Sequence, residues 1–184
     1  PNVLSRTNTS NNMTTDQPFL ALTVGNTRTS VATIVGDEIQ GLESFDSNET
    51  SVIVEHAIKT WKDLDYESPQ IIISTSNEDA NKAISAALAD QTSRQIWQIG
   101  EDVPPAIGQH LDPETITGID RLLNAAAVWE MHKQACVVID AGTCVTVDFV
   151  DGEGTFHGGA IAPGARMQLT SMHNGTSTLP EVDF

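Results

Sequence analysis

Leu22-Thr23-Val24-Gly25-Asn26-Thr27 and Ile139-Asp140-Ala141-Gly142-Thr143 are two versions of one pattern, and that pattern decides the fold. Each closes an apolar run of the kind that forms a buried strand, 19–24 in the first case and 135–139 in the second, with a glycine-containing tight turn. A second β-branched run follows each turn, over 29–35 and over 144–150. Each second run ends at another turn, Gly36-Asp37 or Asp151-Gly152. The copies lie roughly a hundred residues apart, too far for a solenoid and right for a duplicated domain. The repeat predicts two lobes facing each other across a cleft, each offering a hairpin tip with a glycine and a threonine.

The segments around the hairpins complete an α/β protein. A third strand is expected over 38–45. Val54, Ala57, Ile58 and Trp61 recur at helical spacing and mark an amphipathic helix over 49–63. Ile71-Ile72-Ile73-Ser74 reads as a short strand. Ala80, Ala83, Ile84, Ala87 and Leu88 stripe a second helix, with Asn77 as its N-cap. A strand over 95–99 follows. Residues 100–118 hold Pro104, Pro105, Gly108 and Pro113 without periodicity, and read as a crossing loop between lobes. Ile119, Leu122, Leu123, Ala126 and Trp129 then stripe a helix ending near Lys133. The expected divisions are a disordered tail over 1–17, an N-terminal lobe over 18–112 and a C-terminal lobe over 113–184.

The chain has 184 residues, room for one large or two small domains. Nine Lys and Arg stand against 25 Asp and Glu, a formal net charge of −16. So acidic a surface repels nucleic acid and anionic membranes, and the few basic residues form no stripe. No apolar run reaches membrane-span length. The polar first 17 residues lack the features of a secretory leader, and Cys136 and Cys144 match neither a disulfide framework nor a metal pair. A cytoplasmic protein with free thiols is expected.

Four stretches could carry chemistry. A glycine at a hairpin tip lets backbone N–H groups approach a phosphate, and an adjacent threonine adds a donor. Either tip alone is equally well a plain turn; the matched pair points to a polyphosphate gripped from both sides. Neither GxGxxG nor GxxxxGK[ST] occurs, so dinucleotide-fold and P-loop readings have no motif. Asp140 ends an apolar strand, where a carboxylate needs a partner, either a cation or its own turn. Gly118-Ile119-Asp120-Arg121 opens a helix. There Asp120 serves either the helix dipole, worth about 0.3 to 1 kcal/mol, or as an ionised base beside a cation for a carboxylate substrate. Gly158-Gly159-Ala160-Ile161-Ala162-Pro163-Gly164 allows close backbone approach to a ligand, or simply turns.

Taken in order, Thr23-Val24-Gly25-Asn26-Thr27-Arg28, Gly118-Ile119-Asp120-Arg121, Asp140-Ala141-Gly142-Thr143 and the glycine-rich 158–164 resemble type III pantothenate kinase. Asn174-Gly175-Thr176-Ser177-Thr178-Leu179-Pro180 is similar to the same family's G-T-A-x-L-P segment. The resemblance covers about residues 19 to 184. It implies two ribonuclease-H-like lobes of the actin-like ATPase superfamily, and ATP-dependent phosphorylation of the pantothenate 4′-hydroxyl, the first step toward coenzyme A. It implies that Thr23, Val24, Gly25, Asn26, Thr27, Arg28, Thr29 and Ser30 form the first ATP-phosphate loop and that Thr143 touches ATP. Asp120 is the implied catalytic base, with Gly118, Ile119, Asp120 and Arg121 holding pantothenate. Asp140 is the implied ligand of a monovalent cation (K+ or NH4+), ATP arrives with Mg2+, and Thr176 reaches pantothenate across a homodimer interface.

The sequence departs from the family pattern in three places. Thr23 stands where the family's first loop begins with Asp. The family's substrate tyrosine upstream of G-x-D-R is absent, and His110 is its nearest counterpart. Family members run on beyond Phe184, so the second lobe is expected to be incomplete. These departures motivate an alternative, a catalytically impaired homologue acting as a nucleotide-binding or regulatory protein. They also raise the question of whether another acid, Asp37 or Asp148, supplies the charge that Thr23 lacks.

Overall fold

The structure of the chain, a computed structural model, describes residues 17–64 and 66–182. The tail expected over 1–17 therefore lies outside the described residues except for its last position. β1 (Phe19–Val24), β2 (Arg28–Val35) and β3 (Glu38–Asp46) form an antiparallel meander. After α1 (Thr50–Asp63), β4 (Gln70–Thr75) pairs parallel to β1. After α2 (Glu78–Thr92), β5 (Ile96–Gln98) pairs parallel to β4. The sheet order is β3-β2-β1-β4-β5, the ribonuclease-H-like arrangement.

Period-2 patterning places Leu20, Leu22 and Val24 on one face of β1, and all three are buried. Val31, Ile71 and Ile73 continue that face, which Ile53, Val54, Ala57 and Ile58 of α1 and Ile84 and Leu88 of α2 cover. Asn77 caps α2 as expected, its side chain accepting from the Ala80 N–H at 3.2 Å.

The second sheet begins earlier than the sequence indicates. β6 (Gly108–Gln109), inside the expected loop and before the expected boundary at 113, pairs parallel to β9 (Thr155–Pro163). It supplies backbone partners to an edge that local sequence does not foretell. α3 (Ile119–His132), β7 (Cys136–Ala141), β8 (Cys144–Val150) and β9 follow, with sheet order β6-β9-β8-β7. α3 covers one face through Leu122 and Ala125, packed with Val138, Val150 and Phe156. α4 (Ala165–Gly175) follows β9 as α1 follows β3. Cys136 and Cys144 are free thiols. No helix among the described residues is long and apolar enough to cross a membrane.

The glycine-rich stretch is a strand rather than a ligand loop. Gly159 lies so close to β8 that a Cβ there would meet the Val147 carbonyl oxygen at 1.9 Å. Gly158, at φ +81°, accommodates the irregular register between Asp148 and Val150.

Repeating the meander exposes a difference between the lobes. Leu22 pairs with Val31 across the first hairpin, and Ile139 pairs with Val147 at the same register of the second. Leu22 is 2% exposed and Ile139 66%, because no residue of α4 is buried and, among the described residues, no helix covers this face as α1 and α2 cover the first. The same pattern of residues therefore carries different energetic weight. Leu22→Ala is expected to cost about 2 to 5 kcal/mol and Ile139→Ala about 0.5 kcal/mol or less, read from urea unfolding of this chain.

Candidate active site

The two hairpin tips meet. The Gly25 N–H closes the first turn on the Arg28 carbonyl at 3.0 Å, and the Gly142 N–H closes the second on the Cys144 carbonyl at 2.9 Å. Across the gap Thr27 Oγ1 and Thr143 Oγ1 lie 3.0 Å apart, both exposed. A contact spanning 116 residues of chain joins the two copies of the motif at their threonines.

The first loop divides by burial. Asn26, Thr27 and Arg28 are exposed, and Ser30 is half-buried with its hydroxyl 2.8 Å from Ser44 Oγ. Val24 and Thr29 are different: both are fully buried, and the Thr29 hydroxyl bonds Ser47 at 3.0 Å. The Val24 carbonyl accepts from the Ser76 N–H at 2.9 Å and Thr75 Oγ1 at 3.3 Å. Strand alternation turns these two side chains into the core, so they shape the loop from behind rather than face a phosphate. Thr23 is exposed, and its hydroxyl accepts from Ser74 Oγ at 3.3 Å. Its cross-strand neighbours Ser30 and Ser74 carry hydroxyls, not charge.

Neither candidate acid compensates for Thr23. Asp37 sits beside Gly36 in the turn between β2 and β3, at the opposite end of the hairpin from the tip. Asp148, 2% exposed, is committed to Arg121: Arg121 Nε reaches both Asp148 oxygens at 3.1 Å, and Nη2 bonds Oδ1. The Asp148 hydrogen bond raises the Arg121 pKa above its ordinary value against the effect of burial, and the Asp148 and Asp120 charges add to the rise. The guanidinium also lies 5.8 Å from the Phe156 ring centre. Much of the Arg121 fork is therefore turned to Asp148 and not to a substrate. Asp148 takes Nε–H and one Nη2 N–H, so the pair anchors α3, and both Nη1 N–H groups and the second Nη2 N–H are left without an Asp148 bond.

That anchor places the rest of α3. Asp120 is exposed in the first turn, where Oδ1 accepts the Arg121 N–H at 2.9 Å. Gly118 gives it room, since a Cβ there would meet Asp120 Oδ1 at 2.5 Å. Ile119 packs back against Gly100. One turn on, Asn124 Nδ2 donates to Asp140 Oδ2 at 2.9 Å. Asp140 is exposed, so the burial argument for a cation does not hold, and its partner is an amide. No group of three His, Cys, Asp or Glu among the described residues gathers to hold a metal ion.

His110 lies away from these groups, and Thr176 lies at the end of α4. The His110 N–H bonds the Phe156 carbonyl at 2.9 Å, and its ring stands 5.3 Å from that of His157, which in turn lies 5.7 Å from Phe149. Phe149 alternates with the α3-facing Asp148 and Val150, so His110 sits on the face of the second sheet away from Asp120. Thr176 ends α4, where its hydroxyl donates to the Met172 carbonyl at 3.0 Å and accepts from the Leu179 N–H at 3.3 Å.

Sequence reasoning passed over Ser47, Ser74, Asn77 and Asn124 as site neighbours. Only Asn77 carried a local signal, as a cap. Asp148 had one in principle, because a charged residue at a core register of a strand requires a buried partner.

Two duplicated ribonuclease-H-like sheets that meet at their hairpin tips define the two-lobed actin-like fold. The sequence model of the type III pantothenate kinase family matches residues 19–184, and the chain belongs to that family. It is 33% identical over 163 residues to the type III pantothenate kinase of Flavobacterium johnsoniae, covering 88% of this chain and 64% of that protein. Over 84 residues it is 50% identical to the type III pantothenate kinase of Rhodopirellula baltica, covering 46% of this chain and 30% of that one. The chain thus spans less than two thirds of the length of these relatives. Among solved structures, the type II variant of the Aquifex aeolicus Ppx/GppA phosphatase aligns with a TM-score of 0.49 at 11% identity, covering 85% of this chain and 55% of that one.

Removing one partner of the buried pair leaves the other charged and unpaired. Asp148→Asn is expected to lower stability by about 3 to 5 kcal/mol, measured by denaturant unfolding. Outside the tips, His157 Nε2 lies 2.6 Å from Asp151 Oδ2, and chiefly through this bond Asp151 titrates at about 2 instead of 3.8. A depressed acid adds stability above its unfolded pKa and loses it as pH falls through the folded one. The β8–β9 turn should therefore loosen as pH falls from about 4 to 2, and His157→Ala should move the Asp151 carboxyl midpoint up, both read by carboxyl NMR.

Proposed function

We propose that this chain carries the phosphate tips and the base of an ATP-dependent pantothenate kinase, which transfers the γ-phosphoryl group to the 4′-hydroxyl. The observation that carries the reading is the meeting of Thr27 and Thr143 at 3.0 Å in a member of the pantothenate kinase family. A triphosphate entering between the tips takes over the two hydroxyls, which exchange their mutual bond for bonds to phosphate oxygens. Backbone N–H groups at the glycine tips add fixed donors, and such prearranged dipoles are the main source of catalysis in phosphoryl transfer.

Asp120, exposed and at a helix start, accepts the proton of the pantothenate hydroxyl as that oxygen bonds phosphorus and the bond to the leaving ADP oxygen breaks. Gly118, Ile119 and Arg121 Nη1 border the substrate carboxylate. The donor set around Asp140 does not form a protein cage for a cation. One exposed carboxylate beside an amide fits Mg2+ that arrives on the phosphates and keeps its waters, or a weakly held K+ or NH4+. When bound, such ions neutralise the charge that develops on the transferred group. The helix α4, with no buried residue and Thr176 at its end, supports a homodimer in which a second copy approaches the pocket. The acidic charge and free thiols support a cytoplasmic setting.

Release of ADP, followed with pantothenate and with related alcohols as acceptors, tests the reaction and its specificity. Asp120→Asn keeps size and position but cannot take the proton. We expect at least a 10²-fold fall in rate with nucleotide affinity unchanged. Retention of more than about a tenth of the wild-type rate would remove Asp120 from the base role.

A further inference from the structure

The residue that follows the third strand of each lobe holds that lobe's tip. Ser47 follows β3, and its N–H donates to the Thr27 carbonyl at 3.1 Å. Gly164 follows β9, the equivalent strand, and its N–H donates to the Thr143 carbonyl at 3.0 Å. The two threonines so held are those whose hydroxyls meet across the gap.

Beyond this shared bond the lobes differ. Ser47, 3% exposed, turns its hydroxyl back on the tip and donates to the Gly25 carbonyl at 2.8 Å. With that proton committed, Ser47 Oγ is the acceptor in its 3.0 Å bond to Thr29, and the fully buried Thr29 Oγ1 is the donor. Asn77 Nδ2 reaches the same Gly25 carbonyl at 3.4 Å. Gly164 makes no such bond and instead touches the second tip with its backbone. A Cβ there would lie 2.2 Å from the Gly142 carbonyl oxygen and 2.5 Å from that of Thr143. Its φ of −69° and ψ of 169° suit any residue, so glycine is required for space and not for conformation.

We propose that Ser47 and Gly164 are paired positioning residues that set the separation of the two phosphate tips, one through a hydroxyl chain and one through direct backbone contact. The proposal rests on the phosphate-gripping reading above. Neither residue touches the nucleotide. Each acts through its own tip, and a displacement of about 1 Å in such a donor set is enough to weaken catalysis markedly.

The test uses the full chain, with amide hydrogen exchange as one readout and affinity for Mg2+-ATP as the other. Ser47→Ala should speed exchange at residues 25–28 by about fivefold or more, as expected for loss of one net hydrogen bond, and leave 142–144 unchanged. Gly164→Ala should do the converse. Each should raise the ATP dissociation constant about fivefold with the pantothenate KM unchanged, and Ser47→Thr should restore both readouts. If Ser47→Ala does not fold, Asn77→Asp serves instead. It keeps an equally good helix cap and removes the second donor to Gly25, so exchange at 25–28 should rise by a smaller factor. A wild-type chain that binds no ATP overturns the kinase reading, and the clamp with it. A wild-type chain that binds ATP while Ser47→Ala and Gly164→Ala bind equally tightly overturns the clamps alone, as does unchanged exchange at both tips.

Discussion

The buried ion pair between Arg121 and Asp148 is the constraint on which the arrangement of this protein depends. A guanidinium and a carboxylate taken out of water this far are stable only together, with their hydrogen bonds made. Because Arg121 lies in the first turn of α3 and Asp148 in the middle of β8, the pair fixes both the rotation of the helix and its height over the second sheet. Asp120 then faces solvent, and Asn124, one turn on, comes within reach of Asp140. α3 also contacts β4, so the same anchor ties the second sheet to the first.

From that seat the duplicated hairpins approach each other. Duplication accounts for the shared geometry: two meanders, two glycine turns, and two backbone bonds from the residue after the third strand to the tip threonine. It does not account for the chemistry of each lobe, which has diverged at single positions. Ser47 and Gly164 hold their tips by different means, one with a buried hydroxyl and one by lacking a side chain. Thr23 and Asp140 occupy comparable strand positions, yet one is neutral among hydroxyls and the other is charged beside an amide. The site is thus asymmetric in charge although it is symmetric in backbone. That suits a ligand whose phosphates carry their own cation to one side.

The lobes also differ in what covers them. Leu22 and Ile139 sit at the same register of the two corresponding hairpins, but helices bury the first and leave the second open. Hydrophobic patterning states only that a face is apolar; whether it stabilises the fold depends on what is packed against it.

The sequence by itself determined the elements and the repeat. Periodicity, turn residues and the Asn77 cap are local properties, and they located β1 to β5, α1 to α3, β7, β8 and both hairpin tips, but not β6, β9 or α4. The ordered motifs located the family and the acid at the start of α3. Tertiary structure alone decided which of the named residues face the gap. Strand alternation buried Val24 and Thr29, an ion pair 27 residues apart in sequence withdrew Arg121, and sheet sidedness took His110 away from Asp120. It also revealed Ser47 and Gly164, whose roles lie in bonds to carbonyls about twenty residues away in the chain. Such bonds leave no local mark, because a buried serine and a glycine beside a turn read the same whether or not they hold another segment in place.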